Sequence, residues 1–331
     1  MTIRERVEDQ ELRSLAPYAA HARDSLGRDI PEELCPVRTC FQRDTDRIIH
    51  SKAFRRLKHK TQVFISPEGD HFRTRLTHTL EVSQIARTMV RALRLNEDLT
   101  EAICMGHDLG HTPFGHSGER ELMALTDGRF SHNRQSVRVV ERIEKDGRGL
   151  NLTKEVRDGI LHHSGEIPAQ TLEGRIVHLA DRIAYINHDI DDACRAGVLR
   201  PEEVPQELGA CHSERINTLV MDIIQASDGK PEIHMSEKIS EAMQNLRGFM
   251  FRHVYRISAA LHEEQKVRRM IRQMFEYYSE NPDEMPNEFR ETAYSEGIEI
   301  AVCDYIAGMT DRYAVAVYSE LFIPKAWEQS I

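Results

Sequence analysis

The apolar residues of this chain fall mostly at helical spacing. From Thr39 onward, Phe41, Ile48, Ile49, Ala53, Phe54 and Leu57 recur at intervals near three, four and seven, which predicts a helix through that stretch. Leu80, Val82, Ile85, Ala86, Met89, Val90 and Leu93 predict another from about residue 77. A further helix runs over about 98–109, where Gly110 and Pro113 end it. Similar patterns predict helices near 117–125, 133–146, 153–163, 172–195, 213–226, 235–261 and 262–279, and over 286–319 with breaks. Strand signals are few, and no period of roughly 20–50 residues recurs, which disfavours a solenoid. The pattern therefore predicts an all-α fold of packed helices. Pro17, Gly27, Pro31 and Pro36 interrupt regular structure near the start and mark an N-terminal arm over 1–37. Pro201 and Pro205 mark a second junction, between a core over 38–200 and a C-terminal helical region over 201–331.

Composition narrows the class. Hydrophobic residues make up 40% and charged residues 30% of 331, a balance that supports a sizeable core. Lys plus Arg is 44 and Asp plus Glu is 54, a net charge of −10. That excludes a surface given over wholly to nucleic acid or anionic lipid and leaves room for a local basic pocket. Arg43, Arg47, Lys52, Arg55, Arg56, Lys58 and Lys60 form one basic run, readable equally as a solvated face or as an anion-binding or oligomer-contacting one. None of the six cysteines forms a C-x-x-C pair, so zinc-ribbon and thioredoxin chemistry lack support and reduced thiols are expected. The charged opening M-T-I-R-E-R-V-E-D-Q-E lacks an apolar signal region, and no run of about 18 apolar residues occurs. A cytoplasmic protein without a membrane span is expected.

The chemistry concentrates in histidine. Of 17 histidines, His71, His78, His107, His111, His116 and His132 crowd into one segment, and residues 105–119 read M-G-H-D-L-G-H-T-P-F-G-H-S-G-E. Imidazoles beside a carboxylate are typical ligands for first-row metals, and small residues let a ligand approach closely. Adjacent helical residues such as His107 and Asp108 point about 100° apart, so both reach one ion only at a helix edge facing a cleft. Further ligands must then come from other helices. His78 is one candidate. Asp181 is another, because Leu179, Ile183, Ile186 and Ile190 place its helix face near the core, where a buried carboxylate needs a cation, whether a metal or an Arg.

The order H…HD…D resembles that of the HD-domain metal phosphohydrolases. The flanking blocks are more specific. R-T-C-F-Q-R-D-T-D-R-I-I-H-S-K-A-F-R-R-L-K-H-K-T-Q-V-F at 38–64, R-T-R-L-T-H-T-L-E-V at 73–82, the H-D-L-G-H-T-P-F-G-H-S-G-E run and F-S-H-N-R-Q-S at 130–136 resemble the deoxynucleoside triphosphate (dNTP) triphosphohydrolases, the dGTPase-like group. L-R-G-F-M-F-R-H-V-Y at 246–255 is similar to its shorter subgroup. Cys40 and Thr45 stand where that family is expected to carry Pro and Arg.

The resemblance implies an HD-domain helical fold with an additional C-terminal helical region that completes the pocket and contributes to an oligomer interface. It implies metal ligands at His78, His107, Asp108 and Asp181, and a catalytic pair of His116 and Glu119, with His111 and His132 on the phosphate side. It further implies release of intact inorganic triphosphate from a dNTP. The neighbours Arg75 and Arg182 follow as triphosphate-binding residues, and Gln62, Tyr185 and Asp189 as the sugar pocket, with the tyrosine excluding ribose. His116 lies three residues before Glu119, so at a helix start the carboxylate can orient the imidazole as a proton donor. The mixed N/O ligand set suits one divalent ion per subunit, Mn²⁺, Fe²⁺, Co²⁺, Ni²⁺ or Zn²⁺, and Mg²⁺ less well. A second metal at His162 and His163 is a further option, outweighed by a structural or substrate-lining role. A homo-oligomer is expected, with room for a dNTP effector and for weak single-stranded nucleic acid binding. The rival activities are another HD nucleotide phosphohydrolase or a nucleotide-sensing HD protein with weak activity.

Overall fold

The computed structural model describes residues 1–61, 73–255 and 258–324, with backbone alone at 258–261. Fifteen α-helices carry the fold among the described residues, and the one extended pairing is an isolated bridge between Thr61 and Thr74. They are α1 (Ile3–Ser14), α2 (Cys40–Ile49), α3 (Lys52–Arg56), α4 (Arg75–Ala92), α5 (Glu97–Gly106), α6 (His116–Leu125), α7 (His132–Arg138) and α8 (Lys154–Leu161). There follow α9 (Leu172–Arg195), α10 (His212–Ser227), α11 (Glu237–His253), α12 (Ser258–Glu280), α13 (Asn287–Ser295), α14 (Ile298–Gly308) and α15 (Asp311–Phe322). The all-α expectation is met.

Helix starts follow from side chains that satisfy orphan amides. Thr39 and Gln42 form a reciprocal capping box at α2, and Thr74 with Thr77 does the same at α4. Asn96 caps α5 through the Leu99 amide at 3.0 Å, and Thr171 caps α9 through the Gly174 amide at 3.2 Å. The expected single basic helix after Thr39 is in fact two. Ser51 accepts from the Phe54 amide at 3.1 Å, and Glu144 accepts from the Lys52 and Ala53 amides at 3.0 and 2.7 Å. That distant carboxylate starts a new helix where apolar spacing alone runs on. After α7 the chain passes into a π-turn over Val139–Ile143 rather than continuing as α-helix. The expected helix over 235–261 stops at His253, because Val254 and Tyr255 both donate to the Met250 carbonyl and close the turn.

Two apolar cores result. The larger gathers α2, α4, α5, α8 and α9, with Leu219 and Ile223 of α10 and Leu246 and Met250 of α11. At its centre α9 crosses α4 and α5, burying Ile176, Val177, Ile183, Ile186 and Ile190. Each such side chain contributes roughly 1.5–3 kcal/mol relative to exposure. The second core wraps α12–α15 around α6, with Phe114, Leu122 and Phe130 meeting Ile271, Met274, Val302 and Ile306. The connection between α5 and α6 lies at the junction of the two cores.

Candidate active site

Three elements converge at the crossing of α4 and α9. The capping box at Thr74 starts α4 so that Arg75 and His78 occupy its first turn, both buried. α5 ends at Gly106, delivering His107 and Asp108 beside them. α9 brings Asp181. His78 Nε2 stands 3.0 Å from Asp181 Oδ1, and His107 Nε2 stands 3.7 Å from Asp108 Oδ1 and 3.9 Å from Asp181 Oδ1. Candidate ligand atoms of His78, His107 and Asp108 all lie within 4.8 Å of one another. The structure thus brings together all four residues that the sequence singled out.

The donor set fits a cation. His107 Nδ1 lies 2.6 Å from the Cys104 carbonyl, which only an N–H can satisfy, so its Nε2 presents a bare lone pair. That Nε2 is buried with no hydrogen-bond partner. It faces carboxylate oxygens, which also only accept, and buried acceptors turned on one another are costly without a positive charge between them. One positive charge already serves Asp108: Arg75 donates to its Oδ2 at 2.8 Å. Burial works to raise the Asp108 carboxyl, but Arg75 and the neighbouring His107, His111 and His78 rings together outweigh it and hold the group well below the usual carboxylate range. Arg75, expected at the triphosphate, is therefore also tied to a ligand residue.

The loop that positions the pair is locked by close approach. Ser136 donates to the His107 carbonyl at 2.6 Å and accepts from the Gly110 amide at 2.9 Å. A Cβ at Gly110 would lie 2.1 Å from the Ser136 nitrogen, so no larger residue fits there. Phe114 and Gly115 then adopt φ of 60° and 58° to turn the chain into α6. The strained Phe114 is held from the second core, where its amide donates to Asp311 Oδ1 at 2.9 Å.

α6 opens on the second cluster. Glu119 accepts from His116 Nδ1 at 3.2 Å, from His132 Nδ1 at 2.6 Å and from the His132 amide at 2.8 Å. The expected pair is thus a trio around one carboxylate. Burial works to raise Glu119, but these hydrogen bonds overcome it and hold the group ionised. His132 continues inward, its Nε2 3.0 Å from His163 Nε2. His163 Nδ1 donates to the Ile160 carbonyl at 2.7 Å, so its Nε2 accepts, and His132 donates from both nitrogens as an imidazolium. Burial opposes that charge on His132, and Glu119 raises its pKa above the ordinary value. His111 stacks on His132 with centroids 4.8 Å apart, and burial with Arg75 nearby keeps it neutral. Candidate ligand atoms of Asp108, His111 and His132 also lie within 4.8 Å, so the two clusters are contiguous. His116 is 60% exposed and stands at the solvent side.

The remaining candidates are placed less completely. Tyr185 is half-buried one turn beyond Asp181, and Arg182 is exposed beside it. Asp189 is buried, and the Tyr255 hydroxyl donates to its Oδ2 while its Oδ1 has no partner. Burial pushes the Asp189 carboxyl up to about 7 against the pull of that hydroxyl. Gln62 lies outside the described residues. His162 turns away to Asp158 at 3.0 Å while His163 turns in, so the His162/His163 pair does not converge. The sequence reading named His163 but not its hydrogen bond to His132, and it missed the parts played by Tyr255 and Asp311. No local motif announces them, although L-R-G-F-M-F-R-H-V-Y already contained the tyrosine.

Comparison with known proteins places this geometry in a family. Residues 75–186 match the HD domain, and residues 233–320 match the phosphohydrolase-associated domain. A deoxyguanosinetriphosphate triphosphohydrolase-like protein of Caldanaerobacter subterraneus subsp. tengcongensis is 60% identical over 100% of this chain and 99% of its own length. A protein of the same description from Clostridium perfringens (strain SM101) is 51% identical over 98% of this chain and 99% of its own, and one from Geobacter sulfurreducens is 40% identical over 96% and 99%. The crystal structure of a phosphohydrolase from Bacteroides thetaiotaomicron has the same fold, with a TM-score of 0.55 at 18% identity over 94% of this chain and 73% of that one. With its two matched domains and full-length relatives, the chain belongs to the deoxyguanosinetriphosphate triphosphohydrolase-like family of HD-domain proteins.

Proposed function

We propose that this protein is a metal-dependent dNTP triphosphohydrolase that converts a dNTP and water to a deoxynucleoside and inorganic triphosphate. The observation that carries the proposal is the orphaned, buried His107 Nε2 facing Asp108 and Asp181 beside His78. His78, His107, Asp108 and Asp181 would hold a divalent ion, which would supply Lewis-acid activation of water and of the α-phosphoryl group.

The chain's own residues account for the rest. In the reaction the water gives up a proton to solvent as its oxygen bonds to the α-phosphorus, the bond from phosphorus to the 5′-oxygen breaks, and that oxygen takes a proton. His116 delivers the proton: Glu119 occupies its Nδ1, leaving Nε2 toward substrate, and its exposure gives it access. His132, charged through Glu119, faces the developing negative charge with neutral His111 stacked on it. Arg75 and Arg182 neutralise the triphosphate, and arginine's planar fork suits its oxygens. Gln62, Tyr185 and Asp189 receive the sugar. The partner-less Asp189 Oδ1 is a ready acceptor for a 3′-hydroxyl, and Tyr185, one turn before it on α9, would exclude a 2′-hydroxyl.

The test is a dNTP panel with Mn²⁺, with products separated. Deoxynucleoside and intact triphosphate are expected, with GTP turned over more slowly than dGTP. Nucleoside monophosphate with pyrophosphate would contradict the reaction, and equal rates on GTP and dGTP would contradict the sugar gate.

A further inference from the structure

We propose that Glu81 and His188 form a relay that fixes the ring orientation and tautomer of His78, so that its Nε2 is presented as a lone pair to the ion; this rests on the metal-centre reading above. Sequence spacing places the parts. Glu81 follows His78 by three residues on α4, and His188 follows Asp181 by seven on α9, two turns along the same face. Where the helices cross, the His188 ring is fully enclosed at 1% exposure. Its Nε2 lies 2.9 Å from Glu81 Oε2, and its Nδ1 lies 3.4 Å from His78 Nδ1, with the rings edge-on at 86°.

The protons follow from the chemistry of each atom. An ionised carboxylate only accepts, so His188 Nε2 carries the hydrogen. The Glu81 hydrogen bond selects the imidazole tautomer with its hydrogen on Nε2, which leaves a lone pair on His188 Nδ1. His78 Nδ1 must then donate to it, which leaves His78 Nε2 bare, aimed at Asp181 Oδ1 3.0 Å away. Two acceptors so placed are joined only by a cation. Arg73 steadies the relay, donating to Glu81 at 3.3 Å, to Asp191 at 2.8 Å and to Asp192 at 3.1 Å. The other histidine of the centre reaches the same tautomer by a different means, since His107 Nδ1 uses the Cys104 carbonyl. Partners of this kind orient metal-binding histidines and raise their basicity.

The experiment titrates metal-stripped protein with Mn²⁺ by calorimetry, alongside melting of the metal-free forms. Wild-type protein binding no Mn²⁺ would overturn the metal-centre reading itself, and the relay with it. Given wild-type binding, Glu81→Ala and His188→Leu are expected to weaken affinity about 10–100-fold. Glu81 is 40% exposed, so its truncation removes no core and keeps the test valid if His188→Leu fails to fold. His188→Asn puts an amide oxygen near the old Nδ1 and is expected to recover most of the loss. Affinity of Glu81→Ala within about twofold of wild type, or His188→Asn binding no better than a folded His188→Leu, would overturn the relay.

Discussion

Individual side chains in this site take their roles from what they are forced to donate to or accept from. His116 and His132 share one carboxylate, yet differ in exposure and in their second nitrogen. The exposed ring is free to meet substrate, whereas the buried ring is pinned between Glu119 and His163. Replacing His116 by Ala is therefore expected to lower turnover about 10²–10⁴-fold. Mn²⁺ uptake by calorimetry should be unchanged; near-normal turnover in the metal-loaded variant would refute the assignment. Asp189 supplies a pH signature. With its carboxyl pushed up to about 7 by burial, it is mostly protonated at pH 6 and mostly ionised at pH 8. An ionised acceptor binds a sugar hydroxyl more strongly. The KM for a dNTP should thus fall as pH rises through 7 in the wild type relative to Asp189→Asn, and parallel profiles would count against Asp189 as the sugar acceptor.

Elements show where local sequence suffices and where it does not. α4, α5 and α9 were legible because each has a long apolar face and a capping residue at its start; α4 and α9 carry His78 and Asp181, and α5 leads directly into the His107-Asp108 pair. The break between α2 and α3 was not legible, because Glu144 makes it from more than 90 residues away. Tyr255 is of the same kind: it ends a helix in order to reach Asp189, a partner that no local pattern reveals. The α5–α6 connection depends equally on a remote group. Asp311, in the first turn of α15, accepts from the Phe114 amide at 2.9 Å and from the Thr61 amide and hydroxyl at 2.9 and 2.6 Å. Asp311→Ala leaves these donors unsatisfied and should destabilise the protein by about 1–3 kcal/mol. Urea unfolding measures that loss, and an unchanged midpoint would show that the loop holds its conformation without α15.

At the scale of the molecule, the two cores are joined through buried polar groups rather than a continuous apolar layer. Lys60, 2% exposed, donates to the His111 carbonyl beside the site and to the Ala307 carbonyl of α14 at 2.7 Å. Asp304 of α14 accepts from Gln135 at 2.8 Å and pairs with Arg138 at 2.7 Å. These ties link the packing of the second core to the α5–α6 loop that carries the candidate site. Ile306→Ala, deep in that core, should cost about 2–5 kcal/mol of stability. Turnover should fall with it even though Ile306 belongs to the second core; full activity in the destabilised variant would contradict the coupling. No helix among the described residues is long and apolar enough to cross a membrane.

The whole account depends on one ion at the crossing of α4 and α9. Anomalous diffraction from crystals grown with Mn²⁺ tests this most directly. The account predicts a single strong peak per chain at roughly 2.0–2.3 Å from His78 Nε2, His107 Nε2 and one oxygen each of Asp108 and Asp181. A map without a peak there, or with the ion held by other residues, would contradict it.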